Sequence, residues 1–330
     1  GLARTSSRGS LIDAFRDRAV LPIRDADGTV VGFTGRANPD AKPRGDYAPP
    51  KYMNTATTDL FHKNQIPYGL TFDAIVALRA GADLIIVEGP FDAQAVMQAA
   101  PRDDMGLPTL VAVAPLGTAL TTGQLETLDQ IAPLTDRSVT LALDSDAAGR
   151  AAAAKAWPTL TAAGITDPRT ITWPGKDPAD LAAEQGPEAL RDALADTSPL
   201  ADRLVADIID NQVSSSRYVE ERVAALRQAA PIIAALPEPH RMQATGDLAE
   251  RLDLDVISVI DEIAKYRTDT PKPVGPLGLP TPPTLSSYSR DITAQPNVRR
   301  AADSPTTSSP HDPREDSRTD PTHDWGPSLG

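Results

Sequence analysis

Three groups of acidic residues directly follow short apolar runs in this sequence. Their five principal members are Glu88, Asp92, Asp144, Asp146 and Asp177. Carboxylates that converge on one spot repel one another unless cations bind between them. Mg²⁺ prefers oxygen ligands, keeps several of its own waters and usually bridges carboxylates to substrate phosphates. The three groups therefore predict a divalent-cation site that could support phosphoryl transfer.

Acidic residues after strands also have an ordinary structural use. Asp and Glu often form turns or accept hydrogen bonds at the first turn of a helix. Any one group alone would more often be a cap than a ligand, but three groups at successive strand ends favour the metal site. The chain has no Cys and only four His, so a hard cation is expected rather than zinc.

Strands and helices alternate in the part of the chain that must position these carboxylates. The predicted strands are 84–87, 110–113, 139–143 and 169–173, and the predicted helices between them are 91–100, 121–131 and 147–163. Strands separated by helices of this length indicate a mostly parallel sheet. In such a sheet ligands bind at the carboxyl ends of the strands, where the acidic groups lie.

The flanking segments have different patterns. Residues 20–24 and 29–36 alternate apolar and polar side chains around the turn sequence Asp25-Ala-Asp-Gly28, which predicts a hairpin. Residues 37–51 read as an exposed loop. Apolar residues at helical spacing predict helices from 199 to 268, with helix starts near 198–199 and 214–216. The last segment, 269–330, is rich in Pro, Ser, Thr and Asp and is predicted to be disordered.

Charge is unevenly distributed along the chain, whose formal net charge is −13 over 330 residues. Residues 1–80 carry +3, residues 81–200 carry −10 and residues 201–330 carry −6. Net negative charge argues against a nucleic-acid partner, but the acidic excess lies around the predicted cation site. No apolar run approaches roughly 18 residues, the length of a membrane span, and no signal peptide is apparent. We therefore expect a soluble, cytoplasmic protein without membrane contacts.

Two sets of motifs resemble a known family. Val-Glu88-Gly-Pro-Phe-Asp92 and Leu-Asp144-Ser-Asp146-Ala-Ala-Gly149 are similar to the TOPRIM signature, which primases share with topoisomerases, recombination mediators and nucleases. The basic motifs before them resemble those of bacterial DnaG-type DNA primases. They are Phe15-Arg-Asp-Arg18-Ala-Val-Leu-Pro-Ile-Arg24-Asp, Val31-Gly-Phe-Thr-Gly-Arg36, Pro50-Lys51-Tyr-Met-Asn54-Thr and Leu60-Phe-His-Lys63. Gly175-Lys-Asp177-Pro is similar to the family's third acidic motif.

The resemblance implies an α/β fold: a TOPRIM parallel-sheet domain, preceded by a partial basic α+β subdomain and followed by a helical subdomain. The expected boundaries are 1–80, 81–198, 199–268 and a tail at 269–330. The implied activity is synthesis of short RNA primers from NTPs on single-stranded DNA, with Mg²⁺ or Mn²⁺ as cofactor. A replicative helicase is a candidate partner. The family's zinc-binding module is expected to be missing, so no zinc is expected.

The resemblance also assigns site residues. Glu88, Asp144 and Asp146 are implied to be the principal metal ligands, with Asp92 and Asp177 nearby. The same resemblance implies catalytic roles for Lys51 and Lys63. It also implies that a set of mostly basic residues contacts the nucleotide or the DNA. That set is Arg18, Arg24, Arg36, Lys51, Asn54 and Lys63.

Three positions depart from the family pattern. The second carboxylate of the third motif comes one residue late, at Asp180, and its role in metal binding is left open. Thr34 stands where the family has Gly, and Pro90 stands where an aromatic residue is common. Two other functions stay open. One is a TOPRIM metal-dependent nuclease, because the metal chemistry is shared. The other is a non-catalytic accessory subunit that binds single-stranded DNA or a helicase, because the family's zinc-binding module is expected to be missing.

Overall fold

The computed structural model describes residues 2–40, 50–117, 119–175, 177–213 and 218–267. Three sequence predictions fall wholly or largely outside these ranges. They are the disordered tail at 269–330, most of the loop at 37–51 and the helix start at 214–216.

The N-terminal part consists of two small antiparallel sheets. Strands β1 (Ala3–Thr5) and β2 (Leu11–Asp13) form the first. Strands β3 (Arg18–Arg24), β4 (Val30–Ala37) and β5 (Tyr52–Asn54) form the second, with β4 in the centre. The predicted hairpin is confirmed: the Asp25 carboxylate accepts hydrogen bonds from the amides of Asp27 and Thr29 at the turn between β3 and β4.

A five-stranded sheet forms the centre of the molecule. In chain order its strands are β6 (Asp83–Val87), β7 (Leu110–Val113), β8 (Val139–Ala142), β9 (Arg169–Ile171) and β10 (Thr197–Pro199). Across the sheet the order is β10-β9-β8-β6-β7. The first four strands are parallel, as predicted, whereas β10 pairs antiparallel with β9. The sequence does not predict β10, because three residues ending in Pro give no strand pattern.

Five helices cover this sheet. They are α1 (Phe72–Arg79), α2 (Pro90–Ala99), α3 (Thr122–Ile131), α4 (Ala147–Ala162) and α5 (Pro178–Ala195). Successive strand residues point to opposite faces, so Leu84 and Ile86 pack with α1, α3 and α4. Ile85 and Val87 pack on the other face with α2 and α5, and Phe61 of the N-terminal part joins that cluster.

The chain continues into helices, as predicted. They are α6 (Leu200–Val213), α7 (Val219–Ala234), α8 (Glu238–Leu252) and α9 (Val256–Ala264). A third apolar cluster, which includes Leu226, Ile233, Leu248 and Val259, joins these helices. In the ranges that the structure describes, no helix is both long enough and apolar enough to cross a membrane.

The turn from β8 into α4 is built around a close backbone contact. A Cβ atom on Gly149 would lie 2.0 Å from the carbonyl oxygen of Asp144. Such a contact is sterically impossible, and the neighbouring atom is backbone rather than a flexible side chain. Only glycine therefore lets α4 begin close enough to β8 to hold Asp144 at the end of the strand.

We expect Gly149→Ala to destabilise the protein by about 1–3 kcal/mol, the usual cost of forcing an extra methyl group into a packed site. Gly246→Ala is the matched control, because Gly246 is an exposed residue of α8 with no atom near its missing Cβ. Alanine there should stabilise by about 0.5–1 kcal/mol. Urea denaturation of both variants checks this prediction. Equal shifts for the two variants would contradict the tight turn.

Candidate active site

A solvent-open cleft of ≈ 550 Å³ lies where the carboxyl ends of β6 and β8 face strands β4 and β5. Its lining residues are Thr34, Lys51, Tyr52, Asn54, Glu88, Gly89, Pro90, Asp92, Leu116, Gly117, Asp144 and Asp177. Four of the five predicted metal-site carboxylates therefore meet here. They face a wall from the N-terminal sheet, which contributes two of the predicted nucleotide contacts.

Glu88 and Asp144 are the two carboxylates available for a ligand. They follow β6 and β8, two strands that pair directly, with Val87 opposite Ala142 at the ends of the strands. Neither side chain forms a hydrogen bond or ion pair within the described residues. Both line the cleft, Glu88 exposed and Asp144 half-buried. The paired strands thus bring two unengaged carboxylates to one place.

Asp92 and Asp177 also line the cleft, but each uses one carboxylate oxygen to cap a helix. Asp92 Oδ2 accepts a hydrogen bond of 3.0 Å from the Gly89 amide at the start of α2. Asp177 Oδ1 accepts one of 2.7 Å from the Asp180 amide at the start of α5. Both residues are more than 90% buried. A Cβ on Gly89 would lie 2.8 Å from Asp92 Oδ2, so glycine is what allows this carboxylate to approach the turn.

Asp146 and Asp180 do not line the cleft. Asp146 is exposed, does not line the cleft, and caps α4 through a 2.8 Å hydrogen bond from the Gly149 amide. Asp180 lies in the first turn of α5 and does not line the cleft either. The structure thus gives different positions to two residues that the sequence treats alike: Asp144 lines the cleft, whereas Asp146 caps α4.

Burial and like charge shift the pKa values of three groups in the cleft. Burial, followed by repulsion from Glu88, Asp92, Asp177 and Asp146, raises the pKa of Asp144 to about 7. Burial and then the charge of Asp177 raise the pKa of Asp92 to about 6. Burial likewise raises the pKa of the Tyr52 phenol to about 12. The folded protein therefore concentrates negative charge at this edge of the sheet at a cost in free energy.

This donor set fits a hard divalent cation whose shell is completed by water and substrate. Within the described residues, no three His, Asp or Glu side chains converge closely enough to hold an ion by themselves. Mg²⁺ does not require such a cage, since it usually binds through one or two carboxylates and keeps several waters. The unengaged oxygens of Glu88 and Asp144 meet that requirement, and the raised pKa of Asp144 shows that nearby positive charge would be favourable.

Two of the predicted nucleotide contacts, Lys51 and Asn54, line the cleft. The ammonium of Lys51 lies 5.7 Å from the centre of the Tyr52 ring. The Asn54 Nδ2 atom donates a 2.9 Å hydrogen bond to the carbonyl oxygen of Leu116, beyond the end of β7. Lys63 is exposed and does not line the cleft.

The three predicted DNA-binding arginines contact other parts of the chain. Arg18 donates to the carbonyl oxygens of Gly35 and Pro50 at 3.0 and 2.8 Å, which anchors the segment that leads into Lys51. Arg24 donates to the Gly28 carbonyl in the hairpin turn at 2.8 Å.

Arg36 stacks over an aromatic ring beside the cleft. Its guanidinium carbon lies 5.0 Å from the centre of the Phe91 ring, which in turn lies 6.5 Å from the Tyr52 ring. The sequence does not identify Tyr52 or Phe91 as site residues. Their position in the sequence could have identified them, because Tyr52 adjoins Lys51 and Phe91 adjoins Asp92.

Two family models match the chain. One is described as the N-terminal domain of the DNA primase catalytic core and matches residues 1–73. The other is described as Toprim-like and matches residues 85–182. Together they cover the N-terminal sheets and most of the central sheet, including all five predicted metal-site carboxylates.

The relatives that are similar in sequence or in structure are also DNA primases. The DNA primase of Pseudomonas putida is 33% identical over 241 residues, which are 72% of this chain and 33% of that relative. The chain thus spans about a third of the length of this curated relative.

The RNA polymerase domain of Mycobacterium tuberculosis primase DnaG is 30% identical, with a TM-score of 0.59, over 76% of this chain and 75% of that one. A DnaG primase catalytic domain bound to single-stranded DNA is 29% identical, with a TM-score of 0.58, over 78% and 75%. The agreement of two family models, sequence relatives and solved structures shows that this chain belongs to the family of bacterial DnaG-type DNA primases.

Proposed function

We propose that this chain is the polymerase core of a DNA primase, which synthesises short RNA primers on single-stranded DNA by metal-dependent nucleotidyl transfer. The observation that carries the proposal is the cleft in which Glu88 and Asp144, both unengaged, face Lys51. Carboxylates for a cation and an ammonium for phosphate are what nucleotidyl transfer from an NTP requires.

In this proposal Glu88 and Asp144 are the principal ligands of Mg²⁺ or Mn²⁺, with Asp92 and Asp177 nearby and Asp146 more distant. No zinc is expected in the described part of the chain, which offers no Cys and no His in the cleft. When bound, the cation would stabilise charge on the phosphates of the NTP. Lys51 would hold the triphosphate, and Asp92 and Asp177 would keep the turns at the starts of α2 and α5 in place.

The chemical step joins a 3′-hydroxyl to the α-phosphate of an NTP and releases pyrophosphate. Arg36 with Phe91 and the exposed Lys63 are the most suitable contacts for a template strand, since single strands bind to positive surfaces with stacking aromatic rings. Arg18 and Arg24 would contribute by holding the N-terminal sheet. The similar DnaG domain that was solved with single-stranded DNA supports this template class. A replicative helicase is a further proposed partner, and the cytoplasm the proposed location.

A metal-dependent nuclease is the first alternative, because the same carboxylates could activate water to cleave DNA. The N-terminal match to the primase catalytic core favours polymerisation. The second alternative is an accessory subunit that only binds DNA or a helicase. The unengaged carboxylates argue against it, since binding alone does not require repulsive charges held at a strand end.

We expect the full chain to make short RNA from NTPs on single-stranded DNA with Mg²⁺ or Mn²⁺, or to extend a supplied primer. Asp144→Asn should reduce product by roughly 100-fold or more, because loss of a metal ligand removes several kcal/mol of transition-state stabilisation. Asp146→Asn is the matched control: Asn caps helices as well as Asp does, so the fold is kept and any loss measures the charge of Asp146 alone.

Gel analysis of labelled products distinguishes the alternatives. Degradation of the DNA template that depends on Asp144, without RNA product, would establish the nuclease. Neither synthesis nor cleavage, with or without a helicase, together with DNA binding that is unchanged in Asp144→Asn, would establish the accessory subunit.

We also expect Asp144→Asn to stabilise the metal-free protein above pH 7. The pKa of Asp144 rises from its ordinary 3.8 to about 7 on folding. The folded state therefore binds this proton more tightly than the unfolded state does, and the wild type loses stability as the pH rises from about 4 to 7. Asn carries no charge and escapes that loss. The group is half-exposed and solvent-screened, so we expect a difference of only ~2–4 °C in melting temperature.

Thermal unfolding in EDTA at several pH values checks this. The difference between the two proteins should shrink as the pH falls below the ordinary pKa of 3.8, because Asp144 is then protonated in both the folded and the unfolded state. Excess Mg²⁺ should raise the melting temperature of the wild type and leave the variant unchanged, because ligand binding to the folded state stabilises it. An Asp144→Asn variant that is less stable than the wild type at pH 8 in EDTA would contradict the conclusion that burial and the neighbouring carboxylates disfavour the charged form of Asp144.

A further inference from the structure

Two buried oxygen atoms in the wall of the cleft have no hydrogen-bond partner among the described residues. They are Thr34 Oγ1 and Asn54 Oδ1, and both residues line the cleft. Thr34 is only 1% exposed. Buried polar atoms in folded proteins are nearly always paired, so an unpaired one calls for an explanation. Two of them beside each other in a substrate cleft suggest a ligand that supplies the missing partners.

The backbone holds these two residues side by side. Thr34 of β4 and Asn54 of β5 are directly opposite in the antiparallel pairing, so their side chains leave the same face with Cβ atoms about 4.5–5.5 Å apart. The hydrogen bond from Asn54 Nδ2 to the Leu116 carbonyl fixes the amide orientation, because a carbonyl oxygen cannot donate. Asn54 Oδ1 can therefore only accept, while the Thr34 hydroxyl can accept or donate.

The chemistry of these atoms limits what they can bind. A triphosphate at neutral pH offers acceptors and no donors, so it suits Lys51 and a cation rather than Asn54 Oδ1. Base amino groups are donors, but they differ among the four nucleotides, and a template-directed polymerase must accept all four. The 2′- and 3′-hydroxyls of ribose are two adjacent donors that every ribonucleotide carries.

We propose that Thr34 Oγ1 and Asn54 Oδ1 accept hydrogen bonds from the ribose 2′,3′-diol of a nucleotide in the cleft, so that the pair selects ribonucleotides. The proposal rests on the proposed function and adds the group that recognises the sugar. Cations and phosphates occupy the carboxylate and Lys51 side, and the sugar contacts the β4–β5 wall. Thr34, which departs from the family's glycine, is then a specificity residue.

Binding of ATP, 2′-deoxy-ATP and 3′-deoxy-ATP to the full chain in Mg²⁺, measured by calorimetry, tests the proposal. The wild type should prefer ATP to each deoxy analogue by about 3- to 10-fold, the worth of one neutral hydrogen bond. Thr34→Val has nearly the same shape and removes only the hydroxyl. It should weaken the affinity for ATP by about the same 3- to 10-fold. It should leave unchanged the affinity for the deoxy analogue that lacks the hydroxyl contacted by Thr34, as in a double-mutant cycle.

Two further variants separate recognition from folding. Thr34→Ser keeps the hydroxyl and should keep the preference for ATP. Thr245→Val is the matched control, because Thr245 is also buried but its hydroxyl donates to the Arg241 carbonyl at 2.6 Å in α8. It should lower the melting temperature and leave all three affinities unchanged. Thr34→Val should not lower the melting temperature, since the Thr34 hydroxyl has no hydrogen-bond partner among the described residues.

Two results would overturn this inference: equal affinity of the wild type for all three nucleotides, or an equal loss for all three in Thr34→Val. Failure of the wild type to bind any nucleotide is a different result, which would overturn the proposed function together with the inference.

Discussion

The approach of Glu88 and Asp144 at the ends of two paired strands is the constraint on which the rest of the site depends. Parallel pairing of β6 with β8 places both residues at one edge of the sheet, where burial and the neighbouring carboxylates raise the pKa of Asp144 to about 7. Such charges would move apart in a flexible loop. They stay together because apolar residues on both faces of the sheet fix the strands, and the site therefore draws on the stability of the whole core.

Hydrogen bonds at the starts of helices offset part of the repulsion among these carboxylates. Asp92, Asp146 and Asp177 each accept a backbone hydrogen bond at the beginning of a helix that follows a central strand. The amino terminus of a helix carries partial positive charge, which favours carboxylates and phosphates alike. The same residue can therefore cap a helix and also bind a ligand. In Asp92 and Asp177 one oxygen holds the turn while the residue as a whole still lines the cleft.

The sequence predicts the central strands and helices to within a few residues, because apolar runs and turn residues mark them. It misses α1 and β10, and it gives no helix for 178–195, where Gly186 and Pro187 interrupt the pattern of α5. It also predicts which acidic groups meet. It cannot separate Asp144 from Asp146, because i, i+2 spacing does not say which carboxylate caps α4. Nor can it find the bond from Asn54 to Leu116, since partners 62 residues apart leave no local signal.

The negative charge of the cleft makes binding of a triphosphate depend on binding of a cation. Among the described residues, four carboxylates and one ammonium, that of Lys51, line the cleft. A triphosphate entering alone would add negative charge to a place that already raises the pKa of its own acids. In the proposed function, cation binding would therefore accompany or precede nucleotide binding. For the proposed function, the distribution of charge matters more than the net charge of −13. Residues 81–200, which carry the proposed cation site, have a net charge of −10, whereas residues 1–80, which carry the opposing wall, have a net charge of +3.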